Sequence, residues 1–65
     1  MSSNEVYKKE FQKALLIEER ARDYYKYYID RIKDAKLLEK FKEIYADEQR
    51  HVQVVKEFID ILSKE

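Results

Sequence analysis

Apolar residues in the first half of the chain recur at the spacing of an amphipathic helix. This stripe contains Phe11, Leu15, Tyr25, Tyr28, Ile29 and Ile32, with Glu18 and Ala21 among them. The second half repeats the pattern through Leu38, Phe41, Ile44, Tyr45, Val52, Val55, Phe58, Ile59 and Leu62. Two long helices are therefore predicted.

The register of the two stripes predicts a chain reversal between the helices. Positions step by seven from Phe11 to Ile32 and again from Phe41 to Leu62, but nine residues separate Ile32 from Phe41. At about 100° per residue, that gap rotates the stripe by about 180°. One straight helix would therefore place its two apolar halves on opposite faces, whereas a turn lets them meet.

Capping residues mark both helix starts. Ser2 with Glu5 matches a capping box, and Asp34 is suited to be the N-cap of the second helix. We expect one domain over residues 1–65, with helix 1 at about 4–33, a turn at about 33–36 and helix 2 at about 35–63.

The expected fold class is all-α, an antiparallel two-helix hairpin that dimerises. Two helices cannot cover both of their own stripes, and a chain of 65 residues buries only a small core. Pairing two hairpins into a four-helix bundle would cover the remaining apolar surface. A homodimer, with a higher oligomer as an extension, is the expected assembly.

Composition excludes several other functions. The chain has 14 basic and 14 acidic side chains, so it lacks the net positive charge that nucleic acid or anionic membranes attract. Cys is absent, which excludes thiolate metal sites and disulfides, and the absence of Gly argues against a phosphate-binding loop. Without an apolar N-terminal segment or Cys, we expect a cytoplasmic protein.

Three polar residues interrupt the apolar stripes and are the candidate metal ligands. Glu48 and His51 stand three residues apart on helix 2, so both side chains reach the same metal ion. Glu18 lies about as far before the turn as Glu48 lies after it, so the hairpin brings them to one level. In a two-fold dimer, four carboxylates and two imidazoles would suit two Fe or Mn ions.

Each of these residues also has a simpler interpretation. Glu48 and His51 can form an intrahelical ion pair, and Glu18 can lie at the stripe edge with its carboxylate in water. Neither interpretation explains why all three residues occupy the apolar stripes at matching heights. The coincidence favours a metal site.

The same residues resemble the ferritin-like di-iron carboxylate proteins, especially their rubrerythrin-like branch. The run Ile17-Glu18-Glu19-Arg20-Ala21-Arg22-Asp23-Tyr24-Tyr25 resembles the helix that carries a single metal-binding Glu, and Asp47-Glu48-Gln49-Arg50-His51 is similar to the family's Glu-x-x-His motif. The resemblance covers roughly residues 11 to 62 and half of a four-helix domain. The chain thus resembles a half-ferritin, a single hairpin completed by a second copy.

The resemblance implies a role for each matching position. Glu18 would be a terminal carboxylate ligand, Glu48 a bridging ligand and His51 a terminal imidazole, and these three would also be the catalytic residues. Around them, Asp47 would hold a ligand imidazole by its other nitrogen and Arg50 would pair with Asp47. Tyr25 would hydrogen-bond a ligand carboxylate. The implied cofactor is two Fe ions per dimer, with Mn or Zn as alternatives.

Three functions remain open from the sequence. The first, implied by the resemblance, is a ferroxidase-type oxidoreductase that oxidises Fe(II) with oxygen or peroxide at a site shared between two subunits. The second is a rubrerythrin-like peroxide or oxygen reductase that uses an external electron donor. The third is a metal-free helical dimerisation module, in which the polar interruptions only set the register of the bundle.

Overall fold

The computed structural model describes residues 2–64 as two α-helices joined by a short turn, and this part of the chain contains no strand. Helix α1 spans Ser3–Ile29 and helix α2 spans Ala35–Lys64. Phe11 near the start of α1 stacks on Phe58 near the end of α2, and Tyr28 contacts Phe41 beside the turn, so the helices are antiparallel. The predicted all-α hairpin is confirmed.

Side chains cap both helix starts as the sequence predicts. The Ser2 Oγ accepts a hydrogen bond from the Glu5 N–H at 3.2 Å. The Asp34 Oδ1 accepts one from the Leu37 N–H at 2.8 Å. Each bond satisfies a backbone donor that has no partner inside its own helix.

Helix α1 ends at Ile29, earlier than the predicted end at about 33, and the turn begins correspondingly earlier. The Arg31 N–H bonds to the Tyr28 carbonyl at 3.0 Å instead of to Tyr27. The Tyr27 carbonyl instead accepts the Arg31 guanidinium at 2.8 Å, and that guanidinium lies 3.6 Å from the Tyr27 ring centroid. This side-chain cap replaces the missing Gly as the stop signal.

The interface between the helices is thin. Val52, 4% exposed, is the only buried residue among those described. The other interface residues are half-buried: Phe11, Leu15, Tyr25, Ile29, Leu38, Phe41, Tyr45, Val55, Ile59 and Leu62. The hairpin measures 50 × 14 × 12 Å, so every residue lies near the surface. Neither described helix has a stretch long and apolar enough to cross a membrane.

One side of the hairpin presents large apolar residues to solvent. We call it the open face, and helical spacing places on it the exposed residues Val6, Ile17, Tyr24, Tyr28, Leu37, Ile44, Val54, Phe58 and Ile61. These positions flank the seven-residue repeat of Glu18 on α1 and of Glu48 on α2. A surface of this extent on a small chain is typical of an interaction site.

Replacing Asp34 with alanine is expected to destabilise the hairpin by about 1 kcal/mol, because the first turn of α2 loses its capping acceptor. Urea unfolding followed by circular dichroism measures the change. Ser2→Ala is the matched control at the start of α1, and its cost should be smaller because the Ser2 hydrogen bond is 3.2 Å long against 2.8 Å for that of Asp34. Equal costs for both variants would contradict the importance of the cap at the turn.

Candidate metal centre

The three candidate ligands meet halfway along the hairpin. Glu18 projects from α1, and Glu48 and His51 project from successive turns of α2. One ligand atom from each of the three lies within 4.8 Å of the other two. The His51 Nδ1 is 3.4 Å from the Glu18 Oε2 and 3.8 Å from the Glu48 Oε2. The levels that the sequence predicts for these residues therefore match in the structure.

The two carboxylates are partly withdrawn from water. The side chain of Glu48 is 17% exposed and that of Glu18 is 28% exposed, whereas His51 is 54% exposed. Within residues 2–64, the Glu48 Oε2 is buried and accepts no hydrogen bond. A buried carboxylate oxygen without a donor is costly, so this atom is suited to a cation or a proton.

The proximity of Glu18 raises the pKa of Glu48 above its ordinary value of 4.5. The largest cause is that the protonated Glu48 carboxyl hydrogen-bonds Glu18, and burial and the negative charge of Glu18 act in the same direction. His51 acts in the opposite direction. The cluster therefore holds more negative charge than its own imidazole offsets.

These residues fit a divalent metal ion. Two carboxylate oxygens and one imidazole nitrogen form a donor set that Fe(II), Mn(II) and Zn(II) accept. The Glu48 Oε2, which accepts no hydrogen bond among the described residues, would gain a bond to a positive ion. Among the described residues, one hairpin supplies three protein ligands, which leaves positions on the ion for further donors.

One of the contacts expected around the ligands is present in the hairpin. Asp47 forms an ion pair with Arg50, as expected, but both side chains are more than half exposed. The Tyr25 ring packs against two other rings, with centroid distances of 5.7 Å to Phe41 and 5.4 Å to Tyr24. Within the described chain, no hydrogen bond links the Tyr25 hydroxyl to a candidate ligand, so that contribution stays a prediction.

The open face surrounds the metal centre, which the sequence stripes did not indicate. Ile17 is one residue before Glu18, about 100° around α1, and Val54 is one turn after His51 on α2, so both lie at the level of the candidate ligands. Ile17 is 65% exposed, the highest value among the exposed large apolar residues. The signal was available as a second seven-residue repeat, Ile17 to Tyr24 and Val54 to Ile61.

Comparisons with protein-family models, with curated proteins and with solved structures give no match for this chain. Any function assigned to the centre therefore depends on its own residues and geometry.

Acidification is expected to reduce the stability difference between the metal-free protein and its Glu48→Gln variant. Because the pKa of Glu48 is raised in the folded protein, folding favours the protonated form of this side chain. The stability that the protonated carboxyl contributes is present at low pH and is lost as the pH rises through the folded pKa. The glutamine side chain of the variant does not titrate. Urea unfolding with chelator, between pH 7 and the ordinary value of 4.5, measures the difference. A stability difference between the two proteins that grows as the pH falls would contradict a raised pKa for Glu48.

Proposed function

We propose that two copies of this hairpin form a ferritin-like four-helix bundle that binds two iron ions and oxidises Fe(II) with oxygen or peroxide. The observation that carries the proposal is the position of the Glu18–Glu48–His51 cluster in the middle of an uncovered apolar face. A metal-ligand set and a dimerisation surface thus coincide.

A second copy is the natural occupant of the open face. The face is apolar along both helices, and the hairpin buries only Val52 among its described residues. Covering this surface would add the apolar burial that a chain of this size needs for stability. Because a two-fold axis places identical surfaces against each other, the clusters of the two copies would meet in the bundle interior.

Charge balance supports two ions per dimer. Two copies bring together two Glu18 and two Glu48 carboxylates, with four negative charges, and two divalent ions carry four positive charges. Each copy would hold one ion through His51 and Glu18, and Glu48, the least exposed of the three side chains, is suited to bridge both ions. Apolar neighbours such as Ile17 and Val54 would limit the access of water.

Iron would supply the redox chemistry, since each Fe(II) gives one electron to oxygen or peroxide. The protein would hold two such ions close together and leave coordination positions for the oxidant. In the ferroxidase reaction, Fe(II) is the substrate and Fe(III) the product.

Aerobic Fe(II) titration tests this function. We expect fast oxidation that saturates at about two Fe(II) per dimer, well above the rate in buffer alone. His51→Ala should lose the fast phase, whereas Glu57→Ala should keep it. Glu57 is exposed and lies nine residues after Glu48, on the opposite side of α2. Oxidation at the buffer rate by the metal-loaded wild-type protein would refute the ferroxidase function.

The contact between His51 and Glu18 favours a second candidate, a metal-free dimerisation module. The His51 Nδ1 lies 3.4 Å from the Glu18 Oε2, so the two side chains form an ion pair when the imidazole is protonated. In that case the polar cluster would fix the register of the bundle without a metal. The two candidates differ in metal content, which is directly measurable.

A further inference from the structure

The candidate ligands carry negative charge that the hairpin does not neutralise. None of the ion pairs that Lys and Arg form in the described chain involves Glu18 or Glu48. Among residues 2–64, the only basic side chain paired with either carboxylate is His51, which is shared between them and is half exposed. Both carboxylates nevertheless lie on the apolar side of the molecule.

Dimerisation through the open face would make this charge more costly. Four carboxylates and two imidazoles would share one interior from which water is largely excluded. Like charges repel strongly in such an environment, and a buried carboxylate without a partner is expensive. The apolar residues around the cluster favour association, because they leave water when the faces pair. At the same surface, apolar burial therefore favours dimerisation and repulsion between the carboxylates opposes it.

We propose that a divalent cation at the Glu18–Glu48–His51 cluster controls the dimerisation of this hairpin. The metal-free chain is mainly monomeric at micromolar concentration, and the loaded chain is a dimer. The inference rests on the shared site of the proposed function but requires no redox chemistry. Its basis is the overlap of the unneutralised carboxylates with the open face.

Linkage gives the expected size of the effect. Each ion that binds the dimer and not the monomer strengthens association by about 100-fold when its free concentration is about 100 times its dissociation constant, so two such ions set an upper limit of about 10,000-fold. If the monomer also binds the metal through the three ligands of one hairpin, this factor is smaller. We therefore expect a shift of about 10- to 100-fold. Reciprocally, the affinity for metal should rise with protein concentration.

Sedimentation equilibrium of the full chain tests the proposal, with Mn²⁺ under anaerobic conditions as the probe and chelator as the reference. The wild-type dimer dissociation constant should fall by about 10- to 100-fold with Mn²⁺. Glu48→Gln removes one negative charge per chain at nearly constant size, so this variant should dimerise more tightly than wild type in chelator and respond little to Mn²⁺. Glu57→Gln, with the same charge change on the opposite side of α2, should behave like wild type.

Three outcomes separate this inference from the proposed function. A chain that is already a dimer in chelator at the lowest measurable protein concentration, and that then binds two Mn²⁺, would overturn metal control and leave the shared site intact. A monomer that binds one Mn²⁺ would overturn both. A chelated chain that loses its helical circular dichroism and regains it as a dimer with Mn²⁺ would support metal control, because folding and assembly are then coupled to the same ion.

Discussion

Replacing Glu48 with alanine is expected to abolish metal-induced stabilisation. In the wild-type protein, Mn²⁺ at about 100 times its dissociation constant should stabilise the folded dimer by about 2.7 kcal/mol per site, which raises Tm by about 10 °C or more for a chain of this size. The variant loses the carboxylate that is suited to bridge both ions, so its Tm should change little. Thermal unfolding by circular dichroism, with chelator or Mn²⁺, measures both shifts.

Glu57→Ala is the control for this experiment, because it removes an exposed carboxylate from the opposite side of the same helix. Its Tm should rise with Mn²⁺ as in the wild-type protein. A Glu48→Ala variant that keeps the full increase would show that the metal binds elsewhere. A wild-type protein that shows no increase would favour the metal-free module.

The second large effect is expected at Ile17, where lysine should weaken the dimer by about 30-fold or more. Ile17 is 65% exposed in the hairpin, so a charged side chain costs the isolated hairpin little. In the dimer, the same position would be buried beside the metal centre, where an unpaired ammonium is unfavourable. Sedimentation equilibrium in the presence of Mn²⁺ measures the dissociation constant.

Leu16→Lys is the matched control. Leu16 is 48% exposed and precedes Ile17 by one residue, which places it about 100° further around α1 and away from the open face. Its replacement should leave the dimer unchanged. Equal weakening by both variants would indicate a general loss of stability, and equal tolerance of both would show that another surface mediates assembly.

Most of the architecture was predictable because it depends on periodicity. The break in register between Ile32 and Phe41 required a turn, and the levels of Glu18 and Glu48 followed from their distances to that turn. Asp34 was recognisable as a cap because its chemistry is local. In each case the sequence separation alone determines the geometry.

The end of α1 was not predictable, because it depends on contacts between particular atoms. Arg31 donates to the Tyr27 carbonyl and lies over the Tyr27 ring, an arrangement that no composition rule specifies. The extent of the open face was also missed. The single apolar stripe predicted on each helix left out the apolar residues beside it. Whether Ile17 is covered or exposed depends on where α2 packs against α1.

The sequence predicted which residues form the cluster but not which of their atoms face one another. The sequence indicated that Glu18, Glu48 and His51 share one level, and their ligand atoms lie within 4.8 Å of one another. It did not indicate that Nδ1 is the imidazole nitrogen facing the carboxylates. Such details depend on rotamers and on the partner helix.

The most direct test of the shared metal site is elemental analysis after anaerobic reconstitution with Fe(II), combined with solution mass on the same sample. We predict about one iron per chain in a particle of two chains. A stable dimer that contains no iron would contradict the shared site and leave the metal-free dimerisation module as the better explanation.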